Sequence, residues 1–226
     1  MISTAFLGCS RGFGAALVAN YAEKHPSSEV YLASRRLEDL QAVASRTTLD
    51  AQIQPVDFSV PQSVDFWLEP LMSSGVQRIF YIAGGGPHGP FVQKAWKDHQ
   101  WSLSVNFLTP ARILHRVLQK PGSVKQLVFV GSAVADDQPD PLAASYAAGK
   151  HALRGLLESV LEEHPSVDLR LYRPGYMNTS MLPPAARPRL ESPQVVAEPS
   201  QLATDFLSWA DDPQGAAIRT PSATTC

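Results

Sequence analysis

Tyr146 and Lys150 stand four residues apart in Ser145-Tyr146-Ala147-Ala148-Gly149-Lys150, a spacing that puts both side chains on one face of a helix. A free tyrosine hydroxyl ionises near ~10, too high for ready proton exchange at neutral pH. A neighbouring ammonium stabilises the phenolate, so such a pair could give or take a proton at a reacting oxygen. The same spacing also occurs on ordinary helix surfaces, so its surroundings decide. Ser132 follows the apolar run 124–130. That puts it at the carboxyl end of a strand, where a hydroxyl could hold a carbonyl oxygen against Tyr146. Asn106 interrupts the apolar stretch Val105, Phe107, Leu108. A helix-disfavoured residue there is a local bend, a satisfied buried amide or part of the same site.

A second constellation lies at the amino end. Gly8-Cys9-Ser10-Arg11-Gly12-Phe13-Gly14 follows the first apolar run and opens a helical pattern. Glycines there let the backbone turn tightly and approach a pyrophosphate, and the amides of the following helix point at the anion. A tight strand-to-helix turn alone would also use them. About twenty residues on, sites of this kind that hold a ribose 2′-hydroxyl carry Asp or Glu. Here the chain reads Ser34-Arg35-Arg36. Two guanidiniums, with Arg11 in the loop, suit a 2′-phosphate, so the residues favour NADPH/NADP; the other reading is a solvated basic turn.

These residues need a frame that brings loop ends together. Apolar runs at 2–7, 29–33, 51–56, 78–82, 124–130 and 167–172 alternate with helical patterns at 12–24, 37–45, 61–72, 98–119 and 143–163. Runs apolar on consecutive positions are strands covered on both faces. Strand and helix in alternation predict an α/β fold, a single Rossmann-type doubly wound parallel sheet with helices on both faces. From 174 to 199 prolines are dense, which predicts a loop or broken helix over the sheet edge. A helix over 200–209 and a short strand near 216–219 then close one domain over 1–226.

The chain has 226 residues, 44% hydrophobic and 18% charged, with net charge −2. That composition fits one packed domain and excludes a disordered tail. It gives no basic surface for nucleic acid or an anionic membrane. Two cysteines, Cys9 and Cys226, do not make a disulfide framework. The leading apolar run is too short for a signal peptide or a membrane span, so a cytoplasmic location is expected. Six histidines show no pair at metal-ligand spacing with acids or thiols, and no metal is expected. Cys9 is either oxidisable, if the loop favours its thiolate, or inert packing.

Taken in register, these motifs resemble the short-chain dehydrogenase/reductase family over nearly the whole chain. Gly8-x-x-x-Gly12-x-Gly14 is similar to its cofactor loop, Asp57 with Phe58 to its adenine-contacting acid and neighbour, and Ala83-Gly84-Gly85 to its turn after the fourth strand. Asn106, Ser132, Tyr146 and Lys150 match its catalytic tetrad in order. Arg173-Pro174-Gly175-Tyr176-Met177-Asn178-Thr179 resembles the segment that covers the nicotinamide, with Thr179 on the carboxamide. The resemblance implies Tyr146 as general acid or base, Lys150 supporting it and holding the nicotinamide ribose, Ser132 orienting the carbonyl, and Asn106 supporting a water that links Lys150 to solvent. It implies hydride transfer between NADPH/NADP and a small carbonyl or alcohol substrate, in a homodimer or homotetramer.

Two positions depart from the family: Leu7 stands where it has Thr, and Ile82 where it has Asn. Both usual residues brace the cofactor loop, and the apolar replacements are expected to pack on each other. The run from Gly84 to Pro90 is glycine-rich, which predicts a mobile wall. Candidate substrate residues are His88, Val134, Tyr176 and Met181, although an exposed loop histidine is the other reading of His88. Trp67, Trp96 and Trp101 are expected to pack helices. Three functions compete: an NADPH-dependent reductase or dehydrogenase, a non-catalytic NADPH-binding sensor or scaffold, and an isomerase or epimerase using the cofactor transiently.

Overall fold

The computed structural model describes residues 3–133, 140–164, 167–182, 184 and 196–221. In chain order these give β1 (Thr4–Leu7), α1 (Gly12–Lys24), β2 (Glu29–Ser34), α2 (Leu37–Ala44), β3 (Asp50–Pro55), α3 (Val64–Ser73) and β4 (Arg78–Tyr81). Then come α4 (Trp96–Leu103), α5 (Thr109–Leu118), β5 (Gln126–Val130), α6 (Ala144–Glu163), β6 (Asp168–Tyr172), β7 (Tyr176–Met177), β8 (Val196–Ala197), α7 (Pro199–Asp211) and β9 (Ile218–Arg219). Seven strands form one parallel sheet in the order β3-β2-β1-β4-β5-β6-β9. The order reverses direction between β1 and β4, which leaves a crevice at their carboxyl ends.

Alternation along each strand divides the core in two. Ala5, Leu7, Ile79, Tyr81, Leu127 and Phe129 face α3, α5 and α6. Phe6, Leu32, Phe80, Val128 and Tyr172 face α1, α2 and α7. Both faces are covered, so the strands read as continuous apolar runs. Phe206 of α7 meets Phe13, Phe80, Tyr172 and Trp209 at ring-centroid distances of 5.0–5.9 Å, an edge-on cluster that fixes α7 on the sheet.

At the amino ends of the strands a polar chain links the buried Arg78, Gln126 and Arg170 through the more exposed Asp168. Arg78 Nε donates to Gln126 Oε1 (2.7 Å), Gln126 Nε2 to Asp168 Oδ2 (2.7 Å) and Arg170 Nε to Asp168 Oδ1 (2.6 Å). These residues are register partners across β4, β5 and β6 or lie two along, so the chain pins strand register at the end of the sheet away from the glycine loop.

Two expectations need correction. The helix expected over 98–119 is not continuous: α4 and α5 are joined by a π turn at Ser104–Leu108. Pro110 has no N–H for the carbonyl of Asn106, four residues earlier. The turn widens, and the Thr109 N–H bonds Ser104 O instead. The proline-rich segment is not only loop, because β7 and β8 pair in parallel. Among the described residues, no helix is long and apolar enough to cross a membrane.

Candidate active site

The glycine loop is held by backbone. Gly8 has φ +99°, and a Cβ there would lie 2.4 Å from Ala83 N, so only glycine lets β1 run so close to the segment after β4. The Gly8 N–H bonds Ala33 O at 2.7 Å, while the N–H groups of Ile82 and Ala83 both reach Leu7 O, at 2.7 and 3.0 Å. Leu7 and Ile82 do not pack on each other as expected. They belong to the two opposite core faces, and main-chain bonds brace the loop. A Cβ at Gly14 would lie 2.4 Å from Gly8 O, which brings α1 tight against the loop. Ser34 Oγ donates to Ser10 Oγ at 2.9 Å. Arg11, the N-cap of α1, supplies no side-chain acceptor, and no acid stands in the first turn. The helix start therefore presents donors to whatever anion lies beyond it.

A cleft of about 1090 Å³, open mouth included, runs over this loop. Every residue expected to hold the cofactor lines it except Gly85, Pro174 and Gly175. Gly85 and Gly175 line the adjoining cavity, and Pro174 uses its carbonyl to accept the Ala133 N–H at 2.9 Å. At the β2 end, Arg36 pairs with Asp39 of α2, and the Arg35 guanidinium lies 5.7 Å from the centre of the Trp101 ring. Burial pushes the Cys9 thiol up to about 12, outweighing backbone hydrogen bonds that favour the thiolate. Cys9 is thus packing, not a reactive group.

The π turn turns Asn106 toward the segment after β4. Its Nδ2 donates to Gly85 O (2.6 Å) and Ser102 O (2.7 Å), and its Oδ1 accepts the Gly85 N–H (3.3 Å). Ser102 Oγ also donates to Gly85 O (2.9 Å). The Gly89 N–H bonds Leu142 O at 2.7 Å. The glycine-rich run is therefore anchored by hydrogen bonds at Gly85 and at Gly89. Lys150, 3% exposed, donates from Nζ to Val130 O at 2.7 Å and lies 5.8 Å from the Tyr146 ring centre. A Cβ on Gly84 would meet Asn106 Oδ1 at 3.0 Å and Lys150 Nζ at 3.2 Å, so these two side chains share one turn. Beside Tyr146, Ser145 Oγ bonds His99 Nδ1 at 2.5 Å, and His99 Nε2 bonds Phe91 O at 3.0 Å. A carbonyl only accepts, so Nε2 carries a proton.

A second cavity of about 750 Å³ adjoins the first, and Tyr146, Met177, Thr179 and Met181 line both. Ser132, His88 and Tyr176 line the second alone. Ser132 is buried, as its place beyond β5 requires. His88 is mostly buried rather than an exposed loop histidine, with Nε2 3.5 Å from Asp140 Oδ2. Val134 lies outside the described residues. Trp67 packs edge-on against Phe58 as expected. Trp101 packs against the core and also lines the cofactor-side cleft, whereas Trp96 is 63% exposed. Sequence reasoning missed Trp101, Ser102, His99 and Asp140. For Ser102 a signal existed, one turn before Asn106 on the same helix face; the others depend on loop paths. Among the described residues no group of three or more His, Cys, Asp or Glu could hold a metal ion.

Comparison with known proteins agrees with this architecture. The family model for short chain dehydrogenase matches residues 4–189. Sepiapterin reductase of Bos taurus is 28% identical over 196 residues, covering 77% of this chain and 72% of that protein. Among solved structures, a short chain dehydrogenase from Burkholderia cenocepacia J2315 in complex with NADP superposes with TM-score 0.82 at 20% identity, covering 98% of this chain and 96% of that one. A 4-hydroxyisoleucine dehydrogenase complexed with NADH and succinate gives TM-score 0.80 at 18% identity, covering 97% of each. With the match spanning most of the sheet and both cavities, the chain belongs to the short chain dehydrogenase family.

Proposed function

We propose that the protein is an NADPH-dependent oxidoreductase that reduces the carbonyl of a small organic molecule, or oxidises the corresponding alcohol. The observation that carries the reading is the meeting of the two cavities at Tyr146, beside Lys150 and across from Ser132. The cofactor would lie in the first cavity, with its pyrophosphate on the start of α1 and its 2′-phosphate near Arg35 and Arg36. Solved structures of this fold hold NADP or NADH, so the fold does not choose between them. The choice rests on the two guanidiniums and on the lack of an acid at positions 34–36. When bound, NADPH supplies the hydride.

The chain's own residues supply position and a proton. Ser132 Oγ holds the substrate oxygen toward Tyr146, whose phenol gives that oxygen its proton in the reducing direction and takes it back in the other. The Lys150 ammonium, fixed by Val130 O, stabilises the negative charge left on the phenol oxygen. Asn106 fixes Gly85 and the turn on which Lys150 packs. Main-chain bonds brace the glycine loop where Leu7 and Ile82 stand in place of the family's polar residues, which supports the reductase over a non-catalytic sensor. By family resemblance a homodimer or homotetramer is expected, which light scattering of the purified protein tests.

The test is NADPH oxidation with a panel of aldehydes, ketones, diketones and quinones, with Tyr146→Phe beside the parent. Substrate-dependent oxidation by the parent, reduced at least a hundredfold in the variant, is the expected result. NADPH binding with no oxidation across the panel would favour the sensor, and product formation without net NADPH loss an isomerase or epimerase.

A further inference from the structure

The second cavity carries more polar chemistry than a carbonyl needs. Ser132 and Tyr146 account for the reacting oxygen. Away from them, three polar side chains converge: His88 Nε2 and Tyr176 Oη each lie 3.5 Å from Asp140 Oδ2. All three line the cavity, and the side chains of His88 and Asp140 are 17% and 9% exposed. Asp140 Oδ1 also accepts the Leu142 N–H at 2.9 Å, which fixes the carboxylate at the start of this turn. His88 Nε2 is buried, and Asp140 Oδ2 at 3.5 Å is too long to satisfy it as a full hydrogen bond.

We propose that His88, Asp140 and Tyr176 form a second recognition point for the substrate, specific for a hydroxyl or N–H group carried elsewhere on the carbonyl compound. This rests on the reductase reading above. A hydroxyl placed among the three can donate to the Asp140 carboxylate and accept from His88, which an aliphatic or aryl carbon cannot. The carboxylate also repels a substrate carboxylate. No lysine or arginine lines this cavity among the described residues to offset it. The substrate class is therefore an uncharged or cationic hydroxy-, amino- or amido-carbonyl compound, not a keto acid or a plain hydrocarbon ketone. A site built to pair a substrate hydroxyl discriminates strongly against an analogue lacking it, because its own polar groups are then left unpaired.

The experiment compares kcat/KM for acetophenone with its ortho, meta and para hydroxymethyl derivatives and with 4-acetylbenzoate, in the NADPH-loaded parent and in Asp140→Asn, His88→Phe and Tyr176→Phe. Asp140→Asn keeps an oxygen for the Leu142 N–H, so the loop turn survives while the charge is lost. The parent should prefer at least one hydroxymethyl ketone over acetophenone by tenfold or more and should reduce 4-acetylbenzoate least. Asp140→Asn and His88→Phe should collapse the hydroxymethyl-to-parent ratio toward one, and Asp140→Asn should raise the relative rate on the benzoate. Reduction of acetophenone with no preference for any derivative, or a preference that all three variants retain, overturns this proposal and leaves the reductase reading standing. No reduction of any member by the parent overturns this proposal, and the reductase reading falls with it only where the aldehydes, diketones and quinones also go unreduced.

Discussion

Asn106 and Gly85 bond each other twice: Asn106 Nδ2 donates to the Gly85 carbonyl at 2.6 Å, and the Gly85 N–H returns to Asn106 Oδ1 at 3.3 Å. This clasp joins the π turn to the segment after β4, and both sides are buried. It makes Asn106 a positioning residue for the turn against which Lys150 lies.

Replacing Asn106 with Ala should therefore cost both stability and turnover. It leaves the Gly85 N–H without its acceptor and empties space beside Gly149, where an added Cβ would lie 3.7 Å from Asn106 Cγ. A loss of about 2–3 kcal/mol follows from the unmade bonds, read as a fall of roughly 4–10 °C in Tm for a chain of this size. Asn106→Asp is the sharper test. It keeps the shape but offers a carboxylate to the carbonyls of Gly85 and Ser102, so it should be less stable than Asn106→Ala.

The frame was largely legible in the sequence. Strands covered on both faces must be apolar at consecutive positions, so β1, β4 and β5 announced a parallel sheet. Gly8 and Gly14 could be read because their backbone approaches tolerate no side chain. The π turn was half legible: Pro110 standing four residues after Asn106 deprives that carbonyl of its donor, a signal that a helical pattern alone does not weigh. The bracing of the glycine loop was hidden because main-chain amides do it, and every sequence has those. Trp101 and Asp140 were hidden for a different reason. Their places depend on where the π turn aims α4 and on the path of the chain into α6, and neither follows from local periodicity.

Arg35 and Arg36 should set cofactor preference unequally. Arg36 is already paired with Asp39, whereas Arg35 rests on the Trp101 ring and can turn to a phosphate without breaking an ion pair. Arg35→Ala should weaken NADPH binding by about tenfold, and the double Ala variant by about a hundredfold, each charge-assisted contact being worth roughly 1.5–3 kcal/mol. NADH affinity should change by less than about threefold in both. Titration by fluorescence with the two nucleotides checks this; an equal loss for both would remove Arg35 and Arg36 from the 2′-phosphate reading.

Cys9 sits in the glycine loop yet should resist alkylation. Its thiol is buried and held up to about 12, so almost no thiolate exists at pH 8. In a Cys226→Ser background, modification by iodoacetamide should proceed only as fast as the protein opens and should accelerate in denaturant. Rapid stoichiometric labelling of the folded chain at pH 8 would contradict the packing role.

Asp211, the last residue of α7, should give the fold an acid-sensitive lock. Its carboxylate meets Lys24 Nζ at 2.6 Å and the buried Arg78 Nη1 at 2.8 Å, tying α7 to α1 and to the start of β4. Burial alone would raise its pKa, but the hydrogen bond from Lys24 and the charge of Arg78 outweigh it, and the carboxyl is held below its usual range. A depressed carboxylate contributes stability that is present above the unfolded value, near ~3.9, and is lost as pH falls through the lower folded value. Asp211→Asn should thus be less stable than the parent at pH 7, by about 2–3 kcal/mol for a partner taken from a buried guanidinium. The gap between parent and variant should narrow steadily below about pH 4. Urea midpoints of both proteins from pH 7 to pH 3 measure that gap directly; a gap that stayed constant with pH would mean that packing, not charge, makes Asp211 matter.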